Sequence, residues 1–131
     1  MKEHISQILL DDSGVKIPQL IQEKNSRLRA LFVTYEHTIY RNEQLDEFIR
    51  QYFDNDVLSS YKSLVPYAYK ADLGRYCLIY QLGGWYMDIT IKPIKFFVLP
   101  SEIDFFYFYD LGHNIIIPQC QMSDCSNGLF Y

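Results

Sequence analysis

The side chains able to do chemistry in this chain concentrate in one run, from Lys70 to Ile91. On a helix of about 3.6 residues per turn, Ala71, Arg75, Leu78 and Leu82 fall on one stripe, with Asp72 and Ile79 beside it. That stripe should face the core, so an arginine in its middle needs an explanation. A surface i,i+3 pair with Asp72 is the plain one, worth about 0.2–0.5 kcal/mol. Gly74 costs the helix about 1 kcal/mol against alanine. With Ala71, it would let another backbone or a ligand come close.

Gly83-Gly84 should end the helix, one glycine as a left-handed cap and the other in a tight reversal. From Trp85 to Ile91 the sequence then alternates as a strand. Trp85, Met87, Ile89 and Ile91 go to a core face, and Tyr86, Asp88 and Thr90 to the other. A carboxylate on a central strand is costly unless paired or bound to a cation. Asp88 therefore requires Arg75, a metal ion or a ligand hydroxyl, and a purely structural Asp88–Arg75 bridge is the alternative to a binding site.

The elements that must position these residues follow from periodicity and punctuation. Ile5 to Leu10 reads as a strand closed by the turn Asp11 to Gly14. Pro18 suits the first turn of a helix whose apolar side is Leu20, Ile21 and Leu28. Leu31 to Tyr35 reads as a second strand, and Asn42 as the cap of a helix carrying Leu45, Phe48, Ile49 and Phe53. A further helix runs from about Pro66 to Leu82. Trp85 to Ile91 and Asp104 to Tyr109 are strands three and four, and Ile115 to Ile117 and Leu129 to Tyr131 are also strand-like. Strands alternating with helices predict an α/β domain with a mainly parallel sheet and flanking helices, which binds ligands beyond the carboxyl ends of its strands. The last strand lacks cover, so the expectation is that the chain is part of something longer.

Composition narrows the function. The 131 residues suffice for one domain, and with 49% hydrophobic residues the chain should fold. A net charge of -4 argues against nucleic acid as a partner. Cys77, Cys120 and Cys125, with His113 near, lack the spacing of a zinc site and fit a reducing, cytoplasmic compartment. Nothing approaches the roughly 20 apolar residues of a membrane span. A soluble protein is expected, with peripheral association at the inner face of the membrane left open.

The pattern Ala71-Asp72-x-x-Arg75-Tyr76, an apolar helix, then Gly83-Gly84-x-Tyr86-x-Asp88 and a strand resembles the DXD-containing sugar-binding region of GT-A glycosyltransferases. That group includes mannosyltransferases, bacterial capsular and polysaccharide glycosyltransferases, and large clostridial glucosylating toxins. The resemblance extends to Ile5 to Leu10, where the family often has Ile-His-Gln-Ile-Trp. It also covers Tyr35 to Tyr40 with Glu43 to Leu45, as the second strand and the helix after it. It implies a GT-A (Rossmann-like) fold in which residues 1–131 are the N-terminal, nucleotide-sugar-binding part and the C-terminal half is incomplete.

By resemblance, the donor is a UDP- or GDP-sugar and the acceptor a glycan, as in bacterial polysaccharide, capsule or lipopolysaccharide synthesis. The activity would be that of a retaining hexosyltransferase using Mn²⁺ or Mg²⁺. Asp72 would bind ribose or sugar hydroxyls, Arg75 the sugar and the charge near the diphosphate, and Tyr86 would pack on the donor. Asp88 would hold ribose or sugar and reach the metal. Asp88 and Arg75 are thus the implied catalytic pair, Asp88 and Thr90 the implied metal ligands, and Ile8 and Leu9 line the donor. Thr90 replaces the second aspartate of the motif, a weaker ligand for a hard cation; Asp-x-Thr also resembles a variant in capsular polysaccharide proteins. Ser6 and Leu9 replace the usual His and Trp, removing a stacking surface for the base. Two rival readings remain: a non-catalytic or truncated nucleotide-sugar-binding module, and an α/β domain whose polar strand face is a subunit interface.

Overall fold

The computed structural model describes residues 3–12, 14, 16–96, 98, 100 and 102, and the backbone of 107–109 and 125–130. The element order is β1 (His4–Ile8), α1 (Gln19–Leu31), β2 (Glu36–Tyr40), α2 (Asn42–Tyr52), α3 (Asn55–Ser63), α4 (Tyr67–Leu82), β3 (Trp85–Met87), β4 (Tyr107–Tyr109) and β5 (Cys125–Phe130). These strands form one sheet in the order β2-β1-β3-β5-β4. β1 pairs in parallel with β2 and with β3, setting Ile5 beside Trp85 and Ser6 beside Tyr86. β5 runs antiparallel to β3 and β4. Among the described residues, three parallel strands with four helices are consistent with part of the expected GT-A fold, and the antiparallel pair makes the whole sheet mixed.

Side chains alternate across the sheet and build two cores. On one face Ile8 and Tyr86 pack with Leu45, Phe48 and Ile49 of α2, Tyr61 of α3, and Cys77 and Leu78 of α4. On the other, Ile5, Trp85 and Met87 pack against Leu28 of α1 and against Phe32. A buried Leu or Phe is worth about 1.5–3 kcal/mol, so these clusters fix the strand register.

Several expectations change. Leu31 to Tyr35 is not a strand: Leu28 and Phe32, four apart and both buried, are the core-facing residues at the end of α1. The Phe32 N–H donates to the Leu28 carbonyl, and the strand begins at Glu36, in the segment the family resemblance indicated. Leu20 is 64% exposed, because Ile21 and Leu28 share a helical face on which Leu20 does not lie. Pro18 precedes the first helical residue as the cap position. Asn42 lies inside α2, and Arg41 is the cap; its N–H is answered by Gln44 Oε1 at 3.0 Å, three residues on. Asn42 Oδ1 instead accepts the Asp11 N–H at 3.1 Å. The helix α3 went unassigned in the sequence, although Asp54 caps it by accepting the Val57 N–H. Residues 104–106 and 115–117, His113 and Cys120 lie outside the described residues, and Cys77 is a buried core thiol.

The small residues serve packing. A Cβ on Gly74 would meet Leu45 Cδ2 at 2.7 Å and Ile8 Cδ1 at 3.2 Å, so side chains of α2 and β1 fill the space expected to admit another backbone or a ligand. Gly83 (φ 64°) and Gly84 (φ 73°) both take left-handed backbone in the reversal from α4 to β3. A Cβ on Gly83 meets nothing within 4 Å, whereas one on Gly84 would lie 2.3 Å from the His4 carbonyl oxygen. Each alanine substitution costs on the order of 1–3 kcal/mol in backbone strain. Gly84→Ala adds a clash with the β1 backbone, so it should lower the urea midpoint well below that of Gly83→Ala; equal midpoints would show that β1 does not constrain this turn.

Candidate functional site

The site is built where α4 crosses the carboxyl end of β3. Arg75 is only 8% exposed and lies on the inward face of α4 with Gly74, Cys77 and Leu78. Its Nη2 is 2.6 Å from Asp72 Oδ1, its Nε donates to the Ala71 carbonyl at 3.4 Å, and its guanidinium sits over the Tyr86 ring, 5.0 Å from the centroid. The expected i,i+3 pair with Asp72 is present, but it is not a plain surface pair: its cation is buried while half of the Asp72 side chain remains exposed. Among the described residues no acceptor lies against Nη1, so a desolvated cation keeps donors for an anion. Burial pushes the Tyr86 phenol above its usual range; Arg75 opposes the shift, and Asp88 and Asp72 add to it. The phenol is therefore neutral at ordinary pH, with both carboxylates and the guanidinium within its electrostatic reach.

Asp88 does not continue β3. The Ile89 N–H donates to Asp88 Oδ1 at 2.9 Å, the Thr90 hydroxyl to Asp88 Oδ2 at 2.9 Å, and the Ile91 N–H to the Asp88 carbonyl at 3.0 Å. Aspartate competes with the sheet ladder for nearby N–H groups, so the strand expected to reach Ile91 ends at Met87 in a turn. The alternation holds through Tyr86 and Met87 and fails beyond. Asp88 is half-buried, and it pairs with Thr90 and the Ile89 N–H rather than with Arg75, so the purely structural Asp88–Arg75 bridge, the alternative to a binding site, does not form. Each carboxylate oxygen has one bond, which leaves lone pairs for a cation or sugar hydroxyls.

Side chains from α1 and β1 clamp this turn. Lys24 Nζ donates to the Thr90 carbonyl and Arg27 Nε to the Pro93 carbonyl, each at 2.9 Å. Gln7 Nε2 donates to the Asp88 carbonyl at 3.3 Å. Gln7 Oε1 lies 2.6 Å from His37 Nε2, and Arg29 Nε donates to His37 Nδ1 at 3.0 Å. Sequence reading missed Gln7 and His37; the available signal was two polar residues, Ser6 and Gln7, inside an apolar strand. Ile8, expected at the donor, is a core residue against Gly74 and Leu45. Leu9 is half-buried just past β1, its N–H bonded to the Tyr40 carbonyl.

The loop after β1 is also pinned: Arg41 Nη2 lies 2.8 Å from Asp11 Oδ2, and Tyr67 OH lies 2.5 Å from Asp12 Oδ1. Beside it is a crevice of about 780 Å³, lined by residues including Asp12, Asn42, Tyr61, Tyr67 and Lys70 but not by Arg75 or Asp88. Among the described residues, no three His, Cys, Asp or Glu side chains converge as a metal cage, and no helix is long and apolar enough to cross a membrane.

The fold and site define an α/β protein in which a buried guanidinium, paired with Asp72 on α4, lies over Tyr86 of a parallel strand, with Asp88 in the turn just past that strand. Residues 18–109 match the family described as glycosyltransferase sugar-binding region containing DXD motif, and the chain belongs to that family. It is also 31% identical over 74 residues to the initiation-specific alpha-1,6-mannosyltransferase of Candida albicans, an alignment covering 53% of this chain and 19% of that protein. The chain thus spans about a fifth of the length of that relative. No solved structure matches.

His37 carries a pH prediction. Burial, then the charge of Arg29, lowers its pKa from 6.5 to about 4. Unfolded chains take up this proton near pH 6.5 and folded ones only near 4, so the contribution is complete above 6.5 and is lost as pH falls through that window. Allowing for solvent screening at a half-buried ring, it is on the order of 1–2 kcal/mol. Wild type should lose more stability between pH 7 and 4.5 than His37→Gln in paired urea melts; parallel losses would remove His37 as the cause.

Proposed function

We propose that this chain binds a nucleoside diphosphate sugar, UDP- or GDP-linked, and takes part in transferring its hexose to a glycan acceptor. Polysaccharide, capsule or lipopolysaccharide synthesis at the cytoplasmic side of the membrane is the setting. The observation that carries this reading is a buried guanidinium with uncommitted donors, set between Asp72 and the ring of Tyr86, a residue that also feels the charge of Asp88.

Breaking the glycosidic bond builds negative charge on the departing diphosphate. Arg75, already desolvated and held by Asp72 and Tyr86, meets that charge without reorganising. Asp72 and Asp88 accept hydrogen bonds from hydroxyls of ribose or sugar. Tyr86, neutral and buried, fixes the plane of the guanidinium. Asp88, whose carboxylate keeps free lone pairs, would be the residue to hold Mn²⁺ or Mg²⁺ here, since no full acidic cage surrounds it among the described residues. When bound, such an ion supplies further positive charge beside the leaving group. Thr90 serves this site first by donating its hydroxyl to Asp88, which orients the carboxylate. The retaining stereochemistry belongs to the same proposal.

Asp88→Asn keeps an acceptor for the Ile89 N–H and removes the charge. Donor hydrolysis and transfer should fall by about 100-fold or more, with the melting temperature nearly unchanged. Wild-type turnover in that variant would take Asp88 out of the mechanism. The Thr90–Asp88 bond, which stands where a second acid would be, favours one alternative, a module that binds donor without turnover. Calorimetric binding of UDP- or GDP-sugars without product formation would select it.

A further inference from the structure

We infer that Gln7 is a positioning residue for Asp88, held from behind by His37 and Arg29; this rests on the donor-site reading above. The directions of the three bonds are forced. A backbone carbonyl only accepts, so the amide nitrogen of Gln7 must face Asp88 and its oxygen must face His37. His37 then donates from Nε2, which leaves Nδ1 bare, and Arg29 Nε donates to it. Each group does the one thing its neighbour requires. The line runs from α1 through β2 and β1 to the end of β3, and its middle member, Gln7, is 1% exposed.

The other clamps on this segment, Lys24 and Arg27, hold carbonyls two and five residues further on from α1, and the Lys24 bond is solvent-exposed. Gln7 alone among the described residues grips Asp88 itself from a neighbouring strand. The Asp88 carbonyl it holds is also the acceptor of the Ile91 N–H, so one atom ties the turn to the sheet. Where that carbonyl is fixed, the Asp88 side chain is aimed by Ile89 and Thr90 from a rigid base. Without Gln7, the carboxylate rides on a turn closed only by its own local bonds, and the half-buried His37 N–H loses its acceptor. Gln7 does not touch the donor. Its effect on turnover passes through the placement of Asp88.

The test compares Gln7→Leu, Gln7→Glu and His37→Gln in the intact protein. Two readouts are used: native-state amide exchange at Ile89 and Ile91, with Leu58 in α3 as the remote reference, and kcat and KM for UDP-glucose and GDP-mannose with Mn²⁺. Gln7→Leu should speed exchange at Ile89 and Ile91 by about tenfold while leaving Leu58 unchanged. It should lower kcat by about tenfold with KM within about threefold. Gln7→Glu faces the Asp88 carbonyl with an acceptor and should behave alike, which keeps the test decisive if the leucine variant does not fold. His37→Gln can still donate to Gln7 and should stay within about twofold of wild type. Exchange at Ile89 and Ile91 that matches wild type, or that rises equally at Leu58, overturns the inference, as does an unchanged kcat. A wild type that turns over neither sugar nucleotide defeats the donor-site reading instead, and the exchange comparison then decides the role of Gln7.

Discussion

A guanidinium cannot be neutralised by losing its proton, so burying one forces the surrounding structure to answer it. In this chain the answer is partial. Asp72 takes one edge of Arg75, the Tyr86 face takes the plane, and the remaining donors have no acceptor among the described residues. The rest of the fold follows from holding that arrangement. α4 must lie close on the sheet, so Gly74 admits Leu45 and Ile8. The chain must reverse directly into β3 to bring Tyr86 under Arg75, so two glycines occupy left-handed backbone and Gly84 touches β1.

The separation of charge defines what the proposed site could bind. Asp88 and Arg75 each have local partners, and neither quenches the other. An ion pair between them would have spent the attraction inside the protein. Kept apart, under the proposed function they would meet a ligand that carries both kinds of group, hydroxyls that donate and a diphosphate that accepts. Thr90 at the second motif position is consistent with this economy, since its hydroxyl orients Asp88 without adding charge.

What the sequence disclosed depended on how local the determinant was. The helix from Tyr67 to Leu82, its double-glycine end and the inward Arg75 are set by spacing within one segment, and all were legible. The extent of β3 was not, because Asp88 could join a ladder or bond its own neighbours, and a contact from Gln7, 81 residues away, favours the turn. The strand placed at Leu31 to Tyr35 failed for a related reason: a short, mostly apolar run fits a strand or a buried helix end, and packing of Leu28 and Phe32 against Ile5, Trp85 and Met87 decides between them. The Arg29–His37–Gln7 line joins a helix and two strands and left no trace in spacing. Ile8 shows the converse, since its position in the family motif suggested a ligand contact while strand alternation sends it into the core.

The claim that the uncommitted donors of Arg75 receive a diphosphate is tested most directly by calorimetry. UDP and GDP are titrated with Mn²⁺ present into wild type and into Arg75→Met, which keeps the volume and the packing on Tyr86. The account predicts that wild type binds at least one of them and that the methionine variant binds it at least about tenfold more weakly. Equal affinity in the two proteins would contradict it.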